Sequence, residues 1–72
     1  MPRRVACNYL IIGKRRLVNH VVELDNNKVI AYYPLEGEPA MTEWVGGTIE
    51  IIDGKAYHQP SSDKEKKVLL ES

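Results

Sequence analysis

With 72 residues, ten basic and ten acidic side chains and one cysteine, the chain suits one small domain with a thin core and closes no internal disulfide. Its neutral balance lacks the basic excess of most nucleic-acid-binding domains. The opening MPRRVACNYLII carries two arginines and an apolar run broken by Asn8 and Tyr9, with no small-residue cleavage site after it. That excludes a secretory signal or a membrane span and, with the lone thiol, predicts a cytoplasmic protein.

Residues 3–12 open the β pattern. Val5, Ala6, Tyr9, Leu10, Ile11 and Ile12 favour extended backbone, and no helix cap precedes them. Gly13-Lys14 suits a two-residue type II′ reversal, because glycine takes the positive φ of the first central position. That turn sets Arg4 opposite Glu23, Val5 opposite Val22, Ala6 opposite Val21 and Cys7 opposite His20. Asn8 then faces Asn19, Tyr9 faces Val18 and Leu10 faces Leu17. The opposite charges of Arg4 and Glu23 favour this register.

The next stretch, LVNHVVELDNNKVIAYYPL over 17–35, is the organising hairpin. Two β-rich runs, 17–24 and 29–35, flank Asp25-Asn26-Asn27-Lys28, and asparagine tolerates the positive φ of a tight turn. The turn sets Leu24 opposite Val29, Glu23 opposite Ile30, Val22 opposite Ala31, Val21 opposite Tyr32 and His20 opposite Tyr33. Combining both turns gives a meander whose core face carries Val5, Cys7, Tyr9, Val18, His20, Val22, Leu24, Val29, Ala31, Tyr33 and Leu35, with no acidic residue. The other face is mixed: Arg4, Ala6, Asn8, Leu10, Leu17, Asn19, Val21, Glu23, Ile30 and Tyr32.

Gly37 and Pro39 end this strand. Pro39 is expected to open one helical turn reaching Trp44, whose indole would cap the open end of a thin barrel. Gly46-Gly47 then reverses the chain. TIEII at 48–52 reads as a strand, and Asp53-Gly54 is the strongest hairpin signal present. It places Ile51 opposite Ala56, Glu50 opposite Tyr57 and Ile49 opposite His58. Gln59-Pro60-Ser61-Ser62 ends the sheet. The remainder, DKEKKVLLES, fits a helix capped by Ser62 or Asp63, a disordered tail or an added edge strand. The expected fold is all-β: a small five-stranded antiparallel partial barrel or sandwich built from hairpins, with one short helical turn, occupying 1–59 and followed by a polar tail over 60–72.

Three constellations bear on chemistry. Cys7, His20 and Tyr33 fall side by side in the predicted register, and a thiolate–imidazole pair is a possible nucleophile. Their place on the core face favours instead a packed thiol and a hydrogen-bonded imidazole. Cys7, His20 and His58 lack the paired short spacings of structural zinc, so no metal or other cofactor is expected. Glu36, Glu38 and Glu43 read as a solvated loop rather than an acid–base pair. The basic groups Arg3-Arg4 and Lys14-Arg15-Arg16 sit at opposite ends of one strand, roughly 33 Å apart at about 3.3 Å per residue, too far for one patch. They suit solvated strand ends that discourage edge pairing.

The mixed face is the better lead. Leu10, Leu17, Val21, Ile30 and Tyr32 form an apolar strip there, and such a strip calls for a covering element or a partner. Val68-Leu69-Leu70 is the internal candidate for the cover.

The run VVELDNNKVIAYYPL also resembles the amino-terminal composite β-domain of amidohydrolase-type metal-dependent hydrolases. Val21-Val22-Glu23-Leu24 match its first strand, Asp25 to Lys28 its tight turn and Val29-Ile30-Ala31 its second strand, which ends near a proline. Arg4 to Ile12 match the preceding strand, so the likeness covers residues 4–35. It implies a β-domain of the kind that flanks a metal-bearing TIM barrel. The sequence has no His-x-His and none of that family's ligands, so no functional residue carries over and no hydrolase activity is implied. The whole chain is also similar to small bacterial proteins, a likeness that implies no activity. The expected function is non-catalytic: a protein-interaction or accessory module, homodimeric or bound to another protein through the strip. The alternatives are a small barrel binding single-stranded nucleic acid through Tyr9, Tyr32 and Tyr57, and an enzyme using Cys7 and His20.

Overall fold

A computed structural model describes residues 2–37, 40–62 and 66–72. It contains β1 (Arg3–Ile12), β2 (Arg15–Asp25), β3 (Lys28–Pro34), β4 (Thr42–Trp44), β5 (Thr48–Ile52), β6 (Lys55–Gln59) and β7 (Val68–Leu69). All belong to one sheet of order β3-β2-β1-β5-β6-β7, with β4 beside β1, and the sheet is not closed.

The turns form as their residues dictate. Gly13 takes φ 59° while Lys14 stays at negative φ, the pattern of type II′. Asn26 and Asn27 (52° and 62°) and Asp53 and Gly54 (51° and 77°) are positive at both central positions, as type I′ requires. The β1–β2 ladder accordingly runs Arg4–Glu23, Val5–Val22, Ala6–Val21, Cys7–His20, Tyr9–Val18 and Leu10–Leu17. The β5–β6 ladder pairs Ile49 with His58 and Ile51 with Ala56.

Four expectations need correction. First, β3 carries a bulge: Leu24 faces Val29 but Glu23 already faces Ala31, so Ile30 is the extra residue. Val22 therefore faces Tyr32, Val21 faces Tyr33 and His20 faces Pro34. Second, β1 and β2 exchange faces midway. The N–H groups of Asn8 and Tyr9 both donate to Gly47 O, each at 3.1 Å, and Asn19 opposite has φ 50°. Two successive donors on one carbonyl mark a bulge, and with both strands irregular at one level the pairing survives while the faces swap. Leu10 is thereby fully buried, while Val18 is 59% exposed and Tyr9 partly so.

Third, Thr42–Trp44 is a strand, not a helical turn; it pairs parallel to β1, with Ala6 beside Trp44. Pro39, the expected start of that turn, lies outside the described residues. Trp44 is 57% exposed and is not part of the core cluster, contrary to the expected cap. Fourth, β5 also joins β1 in parallel, Leu10 beside Ile49, so the sheet is mixed and has seven strands rather than five antiparallel ones. Gly46-Gly47 links β4 to β5 along the same edge of β1. Val45 and Gly46 both donate to Ala6 O, and Gly47 N–H donates to Asn8 Oδ1 at 2.8 Å.

The core cluster is Val5, Cys7, Leu10, Val22, Leu24, Ile49, Ala56 and Leu70. Ala6 and Val21, paired across β1–β2, are buried outside it. Val29 N–H donates to Gly54 O at 2.7 Å, tying β3 to the β5–β6 turn across the opening of the sheet. The C-terminal residues work at the same opening. β7 pairs with β6, Leu70 N–H donates to Ala56 O at 2.9 Å, and the Leu70 side chain enters the core. Burying that side chain contributes about 1.5–3 kcal/mol. Among the expected forms of the tail, the added edge strand is the one seen at Val68–Leu69.

Candidate interaction surface

The Cys7–His20–Tyr33 row does not assemble. Cys7 is fully buried and its thiol donates to His20 O at 3.6 Å. Burial pushes its pKa up, outweighing the hydrogen bonds it makes to backbone at His20, Ile49 and Tyr9. His20 Nδ1 lies 3.0 Å from Val18 O, the position of a donor to that carbonyl. Tyr33 pairs with Val21, not His20. A protonated, buried thiol is a poor nucleophile. In the folded protein Cys7 is expected to resist an aromatic disulfide reagent, and to react fully once guanidinium unfolds the chain. Rapid labelling under native conditions would contradict this burial.

Tyr33 instead belongs to a charged cluster. Its phenol donates to Glu23 Oε2 at 2.7 Å, and Arg4 Nε lies 3.4 Å from the same oxygen. The hydrogen bond to Glu23 holds the Tyr33 pKa above its ordinary value, with burial and the Glu23 charge adding to it and Arg4 opposing it. A raised folded-state value means this contribution to stability is complete below the unfolded value near 10 and is lost as pH rises through the higher folded one. Absorbance at 295 nm, compared with a Tyr33→Phe variant, should place this phenol above the ordinary range. Glu23→Gln should bring it back down.

Among the described residues no group of three His, Cys, Asp or Glu side chains is placed to hold a metal ion. His58 Nε2 sits 3.0 Å from Gly46 O, close to the Gly46-Gly47 link. Arg3 pairs with Glu43 at 3.1 Å and donates to Glu71 O at 2.8 Å, so one expected loop carboxylate is an ion-pair partner. Glu36 is exposed, and Glu38 lies outside the described residues.

The apolar strip divides. Leu10 and Val21 are fully buried, and Leu17 packs against the core. Ile30 and Tyr32 remain accessible, at 55% and 43% exposure. Both lie on β3, an end strand of the sheet, along which exposed and half-buried residues alternate. The face switch creates a second exposed group that alternation does not reveal. Tyr9 and Val18 pair on the surface, and the Arg16 guanidinium lies 4.0 Å from the Tyr9 ring centroid, a cation–π distance. Beside them Asn8, Tyr9, Thr48, Gln59 and Pro60 line an open groove of about 310 Å³. The one sequence signal for this surface is that two asparagines, Asn8 and Asn19, face each other in the predicted register. After glycine, asparagine is among the residue types that most readily enter the positive-φ region, which Asn19 occupies here.

No protein-family model, curated protein or solved structure matches this chain. No helix among the described residues is long and apolar enough to cross a membrane.

Proposed function

We propose that this chain is a non-catalytic protein-interaction module that docks through the edge of β3. The observation carrying this reading is the pairing of Ile30 and Tyr32, two large exposed side chains, on an end strand. Beyond Val29, whose N–H is already held by Gly54 O, an edge strand offers backbone groups for pairing, and flanking apolar side chains supply the specificity of β-strand addition. Pro34, lacking an N–H, limits how far such pairing extends. The buried thiol weighs against Cys7–His20 chemistry. An accessory role fits the resemblance of residues 4–35 to a β-domain that flanks a catalytic barrel. A cytoplasmic setting, in which a lone cysteine stays reduced, belongs to the same proposal.

The first partner to test is a second copy of the chain. Light scattering at tens of micromolar should give a mass above the monomer, and Ile30→Glu with Tyr32→Glu should restore the monomer with unchanged circular dichroism. A wild-type monomer that also captures no partner through these residues would end the proposal. One observation favours a second reading, binding of single-stranded nucleic acid: Tyr9, capped by Arg16, is an exposed stacking surface. A mixed oligonucleotide whose binding falls with salt and is lost in Tyr9→Ala would support that reading instead.

A further inference from the structure

The C-terminal residues are held like a docked peptide. β7 adds to β6 through Tyr57–Leu69 and His58–Val68, and Leu70 enters the core beside Ala56. Asn27 N–H donates to Ser72 Oγ at 2.8 Å, and Ser72 N–H donates back to Asn27 Oδ1 at 2.7 Å. Lys67 Nζ meets Glu50 at 2.9 Å, and the Glu71 carbonyl accepts from Arg3. The receiving groups are drawn from β1, the β2–β3 turn, β5 and β6, and the Val29–Gly54 bond joins two sides of that opening independently of the tail. On the other side, Gln59 to Ser61 are pressed against Gly47, while Ser62 and Lys66 are exposed.

We infer that this opening also accepts residues 67–72 of a second copy, through the same contacts, giving a strand-exchanged dimer. The inference does not rest on the β3 surface. Every tail contact named above joins residues 67–72 to the body of the fold, so exchange preserves all of them. The occupant is specified by the opening itself, which is already matched to this segment: two ladder positions, one leucine anchor and a terminal Ser–Asn exchange. The arrangement is isologous, each copy giving and receiving the same segment, so it closes at two chains. Because the same contacts form in both states, the monomer is favoured by the effective concentration of its tethered tail, on the order of millimolar.

The test uses the full chain. Protein is unfolded in guanidinium and refolded at about 10 μM and at about 1 mM, concentrations chosen to bracket that effective concentration, and then separated by size. In the Ile30→Glu, Tyr32→Glu background, which removes association through β3, monomer is expected at the lower concentration and a substantial dimer fraction at the higher. A dimer formed from equal parts of isotope-labelled and unlabelled chains should show Leu70 methyl contacts to the Ala56 methyl across chains. The Ile30→Glu, Tyr32→Glu variant should form this dimer equally well. Monomer alone after concentrated refolding would overturn the inference, as would a dimer whose Leu70–Ala56 contacts are all within one chain. Loss of a dimer only in the β3 variant would assign it to the β3 surface instead.

Discussion

Gly47→Ala is expected to unfold much of the population at room temperature. Gly47 has φ +60°, and a Cβ there would lie 2.4 Å from Gln59 O, 3.0 Å from Ser61 N and 3.2 Å from Pro60 Cα. All three are backbone atoms, so relief requires moving β6 away from the start of β5. That would disturb the Gly47 carbonyl on which Asn8 and Tyr9 converge and the Gly47 N–H held by Asn8. A left-handed non-glycine residue and an overpacked contact together cost about 3–5 kcal/mol. A domain this small has roughly 5 kcal/mol to lose. Gly46→Ala is the comparison. Its φ is +66°, but the added Cβ would meet only the Asn8 and Trp44 side chains at 3.4 Å or more, and these can shift. That variant should lose about 1–2 kcal/mol, the cost of the backbone conformation alone. Urea denaturation of both variants decides; equal midpoints would show that the close approach of β6 is not what selects glycine at 47.

The face switch at Asn8 and Asn19 makes an equally sharp prediction. Leu10 is fully buried in the main cluster, so Leu10→Ala should destabilise by about 2–5 kcal/mol. Val18, which strict alternation places in the core, is an exposed side chain, and Val18→Ala should change stability by no more than about 0.5 kcal/mol. An uninterrupted strand pattern predicts the reverse order, with Val18 in the core and Leu10 on the mixed face. Chemical denaturation of the two variants therefore distinguishes the arrangements, and a larger loss at Val18 would refute the bulge. Asn8→Ala should lie between them, costing about 1–3 kcal/mol because the partly buried Gly47 N–H loses its acceptor.

The strip proposed from alternation, Leu10, Leu17, Val21, Ile30 and Tyr32, shows how far local pattern carries. It contained the two residues that remain accessible on β3. It also contained Leu10 and Val21, which are fully buried. It omitted Tyr9 and Val18, because nothing in a two-residue period announces where the period breaks. The basic clusters were separable by spacing, but that Arg3 would be taken up by Glu43 and Glu71 depends on segments far along the chain.

The sequence by itself determined the all-β class, the three tight turns, the β5–β6 register and the pairing of β1 with β2. Each follows from residues within a turn or its flanks: Gly13, Asn26-Asn27 and Asp53-Gly54 select their conformations through φ, and a two-residue loop fixes the first pairs of the ladder that follows. Val22 and Leu24 are legible as core from alternation; tertiary structure alone decided that the inward face switches at Asn8 and Asn19, where the β3 ladder slips at Ile30, and that β4 and β5 run parallel along β1. The face switch and the parallel placement along β1 involve the Gly47 backbone reaching Asn8 from 39 residues away. A contact of that range depends on how the whole sheet curls, not on the preference of any residue near it.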